Sequence, residues 1–202
     1  MSDKYLTIAS KAEGIYKEKG SKFLSFAFPV ENVEEIKKLI KDFQNQYHDA
    51  RHICYAYVLG TDKKEWRAND AGEPSGTAGR PILRQINARN LTHVLVIVVR
   101  YFGGILLGTG GLINAYSEAA CDALNHAEII EKTVQSHVKL TFGYLQLNNI
   151  MKIVKEQKLQ IVSQETNSEK CYVELAVSQN ELPELFIRFQ NIAGTKIETV
   201  HN

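Results

Sequence analysis

Apolar residues recur with period two in some stretches of the chain and with period 3.6 in others, and the changes of period divide it into elements. Residues 5–10 alternate like a short strand. Residues 15–18 and 22–28 are two extended runs around Lys19-Gly20-Ser21, a hairpin signal that Pro29 ends. Asn32 is a candidate helix cap, with Glu34 and Glu35 in the first turn, and Val33, Ile36, Leu39, Ile40, Phe43 and Tyr47 follow at helical spacing. In residues 51–59, Ile53, Tyr55, Tyr57 and Leu59 share one face of a strand, and His52, Cys54, Ala56 and Val58 the other. Residues 65–69 can pair back after a turn at 60–62. Pro81 suits the first turn of a short helix ending near Ala88. Residues 91–102 are apolar on both faces, as in a central strand. A close-packing, alanine-rich helix is predicted from Leu112 to Ala127.

The rhythm changes after Glu131. Strands at 137–144, 159–165, 171–178 and 196–200 are interleaved with helices at 147–158 and 182–189. This is the β-α-β-β-α-β order of a ferredoxin-like arrangement, expected as a four-stranded antiparallel sheet with two helices on one face. The pattern predicts an α+β protein of two domains, residues 1–131 and 136–202, joined by a short, semi-rigid linker near 128–135.

The chain has 202 residues, 44% hydrophobic and 23% charged, as in an ordinary soluble globular protein whose core needs no metal or disulfide. A net charge of +1 excludes a bulk pull toward nucleic acid or membrane, so such binding must come from a local patch. Cys54, Cys121 and Cys171 are odd in number, widely spaced and set in apolar patterns, and are read as buried, reduced thiols. No secretory signal is visible, and the longest apolar run, residues 94–99, is too short to span a bilayer. A cytoplasmic protein without membrane contact is expected.

Two glycine-rich segments flank the central strand: N-D-A-G-E-P-S-G-T-A-G-R-P at 69–81 and R-Y-F-G-G-I-L-L-G-T-G-G-L at 100–112. Glycine lets another group approach the main chain, and a helix start supplies unpaired N–H groups, so phosphate is the natural ligand. In the second segment the amides of Gly110 and Gly111 and the Thr109 hydroxyl are candidates to hold phosphate oxygens, with charge from Arg100. The other reading is that these glycines permit tight turns and close packing. The spacing is not that of a P-loop. In the first segment Glu73, Ser75, Thr77 and Arg80 are the useful groups. Asp70 and Glu73 suit a divalent cation or acid–base work; alternatively Asp70 and Ser75 make turn hydrogen bonds and Glu73 pairs with Arg80 or Arg67. Ligand contact by Arg80 is preferred to catalysis by Glu73. His52 and Cys54 point the same way, but two ligands do not make a zinc site.

Between His48 and Ala115 eight basic residues, six of them arginine, stand against five acidic ones. Arg67 is among them, and Tyr55, Tyr57, Trp66, Tyr101 and Phe102 interleave as stacking surfaces or as core. The predicted site is His52, Arg67, Glu73, Ser75, Thr77, Arg80, Arg100, Thr109, Gly110 and Gly111, with both segments converging on one cleft. No catalytic residue, metal or cofactor is assigned. Replacing Arg100 with alanine is expected to weaken binding and leave the melting temperature nearly intact.

H-D-A-R-H-I-C-Y-A-Y at 48–57, taken with the two glycine motifs, resembles the signatures of the YigZ/Impact family over roughly the first 130 residues. The resemblance implies a first domain with the fold of the second domain of ribosomal protein S-five, shared with elongation factor G. It implies a ferredoxin-like second domain similar to the last domain of that factor. Eukaryotic Impact proteins are translation regulators that bind the activator of the amino-acid-starvation kinase, and they carry an additional N-terminal domain. This chain begins at the shared domain, so that extension is not expected here. The first reading is a non-catalytic RNA- or ribosome-associated protein that regulates translation. Two others stay open: an enzyme or binder of a small phosphorylated ligand, and a protein-interaction module of a stress pathway.

Overall fold

The computed structural model describes residues 4–200, and among them it forms eleven β-strands and five α-helices in a mixed α/β architecture. The chain separates into two compact units, residues 4–132 and the residues from Thr133 onward. Among the described residues no helix is long and apolar enough to cross a membrane.

In the first unit, β2 (Ala12–Glu18), β3 (Ser21–Pro29), β4 (His52–Leu59), β5 (Glu65–Asn69) and β6 (Val94–Tyr101) form one sheet in the order β2-β3-β6-β4-β5. Every neighbouring pair in it is antiparallel. β6 lies at the centre and is buried on both faces, as its unbroken apolar run predicts. One face, carrying Phe23, Cys54, Ala56, Val94, Val96 and Val98, packs against α2 (Gly79–Ala88) and α3 (Gly108–Asn125). The opposite face, carrying Phe26, Tyr57, Leu95, Ile97 and Val99, packs against α1 (Val33–Gln46) through Ile36 and Phe43. The Asn32 side chain accepts a 2.9 Å hydrogen bond from the Glu35 amide and caps α1.

Two expectations are corrected here. The linker region contains a strand, β7 (Ile129–Thr133), which pairs with β1 (Lys4–Ile8) in a two-stranded sheet. Its five residues are too few to display a period against polar neighbours. α3 begins at Gly108, four residues before Leu112, so Gly108 to Gly111 form its first turn rather than a loop. Glycine is a poor helix former, but the row Ala115, Ala119, Ala123 holds the helix to the sheet and overrides that preference. Gly14 permits this contact: a Cβ there would collide with the Ala123 backbone nitrogen.

The second unit comprises β8 (Gln135–Phe142), a 3-10 turn (Tyr144–Gln146), α4 (Leu147–Glu156), β9 (Gln160–Thr166), β10 (Cys171–Ser178), α5 (Leu182–Gln190) and β11 (Lys196–Val200). Its sheet has the order β11-β8-β10-β9 with antiparallel neighbours. Val138, Leu140, Phe142, Val173 and Leu175 share a core with Ile150 and Val154 of α4 and Leu185 and Phe189 of α5. Both helices therefore cover one face of the sheet.

All three cysteines are free thiols; Cys54 and Cys171 are buried and Cys121 is only half-buried. The expectation that all three are mostly buried fails at Cys121, which lies on a flank of α3 where Arg89 Nη2 comes within 3.2 Å of its sulfur. A maleimide applied to the native protein should label Cys121 first, and Cys54 and Cys171 only at the rate of unfolding. Two glycine substitutions should move stability in opposite directions. Gly14→Ala forces helix and strand apart and should cost about 1–3 kcal/mol in urea unfolding. Gly110→Ala meets open space at an ordinary φ, and should stabilise by up to about 1 kcal/mol through helix propensity.

Candidate functional site

The registers of the first unit bring its two glycine segments to one end of the sheet. His52, the first residue of β4, lies opposite Arg100, near the end of β6. Asn69, the last residue of β5, lies opposite Tyr55 of β4. The segment after β5 and the segment after β6 therefore leave the sheet side by side, and α2 carries the chain to the far end to start β6.

At this end the row Val94, Val96, Val98 on the helix-covered face of β6 ends in Arg100, whose side chain is 7% exposed. Its Nη1 donates to Glu73 Oε1 at 2.6 Å, and the Glu73 side chain is 3% exposed. The same oxygen accepts from the Tyr116 hydroxyl of α3 at 2.7 Å. The Cys54 sulfur lies 3.3 Å from that hydroxyl and 3.0 Å from the Asp70 carbonyl. Burial pushes the Cys54 thiol up to about 12, so it stays protonated. Burial also raises Tyr116, which keeps its proton to donate. The Arg100 guanidinium packs against the rings of Phe23 and Phe102, 5.5 and 5.7 Å from their centroids. Its Nε is buried without a partner, and Nη2 has no hydrogen bond among the described residues.

The path of the first segment is set by Asp70. Its carboxylate accepts from the amides of Gly76 and Gly79, both at 2.8 Å, and of Ala78 at 3.0 Å. Burial raises its pKa, but these three amides and the charge of Arg80 together outweigh burial and hold it below the ordinary aspartate value. This is the turn-forming role weighed against cation binding for Asp70. His52 is oriented by a 3.0 Å hydrogen bond between its Nδ1 and the Ala71 carbonyl.

A cavity of about 390 Å³ opens over this network. His52, Glu73 and Arg100 form its polar floor, with Arg51 at its rim; Pro74, Phe102, Leu106, Leu107 and Leu112 form apolar walls; Gly108 and Thr109 close it with the start of α3. No side chain caps α3, so the amides of its first turn lack partners within the helix. Of the predicted site residues, His52, Glu73, Arg100 and Thr109 line the cavity, and Arg67, Ser75, Thr77, Arg80, Gly110 and Gly111 do not. Arg67 is exposed on β5, at the edge of the sheet, opposite Tyr57. The buried Thr77 hydroxyl turns back to the Pro74 carbonyl at 2.7 Å. Ser75 and Arg80 are exposed, because the segment wraps around Asp70 with Glu73 turned inward. Glu73 pairs with Arg100 rather than with Arg80 or Arg67.

The sequence reading left out Tyr116 and the apolar rim. Tyr116 falls on the apolar face of α3 and reads as core; nothing in the spacing shows that its hydroxyl meets a carboxylate. Phe102 and Leu106 are 48 and 82% exposed, and the apolar residues set among the glycines of this segment were the available signal for the rim.

The family model of the Impact N-terminal domain matches residues 19–124, the part of the chain that builds this cavity. The chain is 33% identical over 181 residues to the Impact family member YvyE of Bacillus subtilis, a match covering 90% of this chain and 83% of that protein. It is 35% identical over 150 residues to the family member YigZ of Escherichia coli, covering 73% of this chain and 74% of that one. The fold is similar to the crystal structure of a hypothetical protein, with a TM-score of 0.74, 27% identity and full coverage of both chains.

The burial of Arg100 overturns the expectation that its removal spares stability. Arg100→Ala leaves the Glu73 carboxylate buried without its cation and should cost about 3–5 kcal/mol in urea unfolding. Combining Arg100→Met with Glu73→Gln removes both charges and should recover at least half of that loss, a non-additivity that a double-mutant cycle measures.

Proposed function

Because the chain belongs to the Impact family, we propose that it is a non-catalytic, cytoplasmic RNA- or ribosome-associated protein that acts in the regulation of translation, its cleft taking a phosphate of the RNA. The observation that carries this reading is Arg100. A guanidinium already removed from water, and fixed at one nitrogen by Glu73, keeps Nη2 for a ligand beside the uncapped start of α3. Cation and helix end both favour an anion, and Thr109 adds a hydroxyl.

The groups with reactive potential favour recognition over reaction. The Cys54 thiol is buried and protonated, and Glu73 is engaged by two donors. The strand order of the second unit supports a ferredoxin-like domain for residues 136–202. The division of the chain is consistent with a separate first domain, 1–131, and its ribosomal protein S-five type rests on the family resemblance. This pair of domains carries the translation part of the reading. The cavity volume favours one further reading, a small phosphorylated ligand, since about 390 Å³ lies in the range of small-molecule sites.

Thr109 is the position at which to test this, because it is exposed and in the first turn of α3, where an acidic side chain favours the helix. Thr109→Glu should keep or raise the melting temperature and weaken binding of a short oligoribonucleotide at least about tenfold, through repulsion between the new carboxylate and the phosphate. Wild-type affinity should fall steeply with salt. Binding indifferent to both the substitution and salt would remove the phosphate site. Full displacement of the oligonucleotide by a nucleoside monophosphate at equal phosphate concentration would select the small-ligand reading.

A further inference from the structure

A second cavity, of about 280 Å³, lies at the same end of the sheet and is bounded by Gln44, Tyr47, His48 and Ile53. Arg51 lines both cavities. It immediately precedes β4, where successive side chains point to opposite faces of the sheet. His52 faces the α2–α3 side and the first cavity, and Ile53 faces the α1 side and the second. The first cavity thus opens on the α2–α3 side, the second runs from the α1 side round the end of the sheet to Ala71, and Arg51 stands on the ridge between them.

We propose that the RNA site continues from the first cavity over Arg51 into the second, so that the protein holds at least two successive nucleotides of one single strand. The proposal rests on the phosphate reading of the first cavity. Three observations carry the extension. Arg51 is exposed and has no ion-pair partner among the described residues, so its charge is available to the phosphate that links two nucleotides. Each cavity has an aromatic wall: Phe102, 48% exposed, in the first and Tyr47 in the second. The Tyr47 ring is ordered beforehand by stacking on Phe43, with centroids 5.4 Å apart, so little freedom is lost when a base lies against it. His48 also lines the second cavity, while the neighbouring Asp49 carboxylate is engaged by the Tyr101 hydroxyl at 2.9 Å.

A chain of nucleotides fits this layout better than an acidic peptide. Arg51 sits between two ring-walled hollows, with Arg100 inside the first, instead of both lying along an open stripe, and a polynucleotide alternates anion and flat base in the same way.

The test compares three probes on the intact protein by calorimetry: uridine monophosphate, the 5′-phosphorylated uridine dinucleotide and a polyglutamate peptide. The dinucleotide should bind about tenfold tighter than the mononucleotide, the gain of one stacked base. Arg51→Ala should cost the dinucleotide at least about fivefold more affinity than it costs the mononucleotide, because Arg100 and the start of α3 still hold the first phosphate. Gln44→Glu, exposed at the second cavity, should do the same through repulsion. Equal affinity for mononucleotide and dinucleotide overturns the extension and leaves the first-cavity site standing. So does an Arg51→Ala loss of the same size for both. Equal affinity for polyglutamate and dinucleotide means that the ridge responds to charge alone, and overturns the proposal. Absence of binding by either nucleotide overturns both the extension and the phosphate reading beneath it.

Discussion

The buried pair of Arg100 and Glu73 is the interaction on which this end of the first unit depends. Arg100 ends a row of three valines on the covered face of the central strand, where an unpaired guanidinium would cost far more than any single packing contact gains. Glu73 reaches it from the segment after β5, and Tyr116 adds a hydroxyl from α3. Three pieces distant in sequence are thereby tied at one carboxylate. Removing any one of them leaves a buried polar group without its partner, so the arrangement holds as a unit. The floor of the cleft is rigid for this reason, and its geometry belongs to the fold rather than to a ligand.

The strands and most helices were legible because their periods are long and regular. The double-faced apolar run of β6, the cap at Asn32 and the alternating strands of the second unit are all of this kind. The site was legible in part. Arg100 and His52 could be assigned to the helix-covered face from alternation alone, since they continue the rows of Val98 and Cys54. Within the segment 70–79 no period operates. Glu73 turns inward and Ser75 and Arg80 outward because Asp70 gathers three amides around itself, and a sequence shows such a center only as one more turn-forming residue. The pairing of Glu73 with Arg100 follows from a register between β4 and β6 that local pattern does not contain.

The glycines of the two segments serve two purposes that composition cannot separate. Gly79 and Gly103 are structural: a Cβ on Gly79 would strike the backbone of Asn69, and one on Gly103 the backbone at Gly20. They let the start of α2 and the exit of β6 press against neighbouring main chain. Gly110 has nothing within reach of an added Cβ, and no packing argument accounts for it. In the first turn of a helix, with helix propensity against it, such a residue leaves the surface around the neighbouring amides bare. The packing reading of these glycines holds at the first pair, and the anion reading draws its support from Gly108 and Thr109 at the cavity.

The energetic character of the cleft follows from the order in which its costs arise. An exposed arginine that binds a phosphate must give up hydration and side-chain freedom at the moment of binding. Arg100 has given up both on folding: Glu73 compensates its charge, Phe23 and Phe102 fix its plane, and one edge of the guanidinium lacks a partner. On the phosphate reading, an anion arriving there would gain hydrogen bonds against a donor already desolvated and oriented, which is the condition under which electrostatic contacts are strongest. The carboxylate of Glu73 opposes an incoming anion by its own charge, and the Tyr116 hydroxyl withdraws part of that charge into the core. On that reading the balance favours modest, reversible affinity from this cavity alone. On the phosphate reading strong binding requires a second anchor, and Arg51, exposed at the rim and without an ion-pair partner among the described residues, has the complementary profile: its charge contributes little to stability and is available to a ligand.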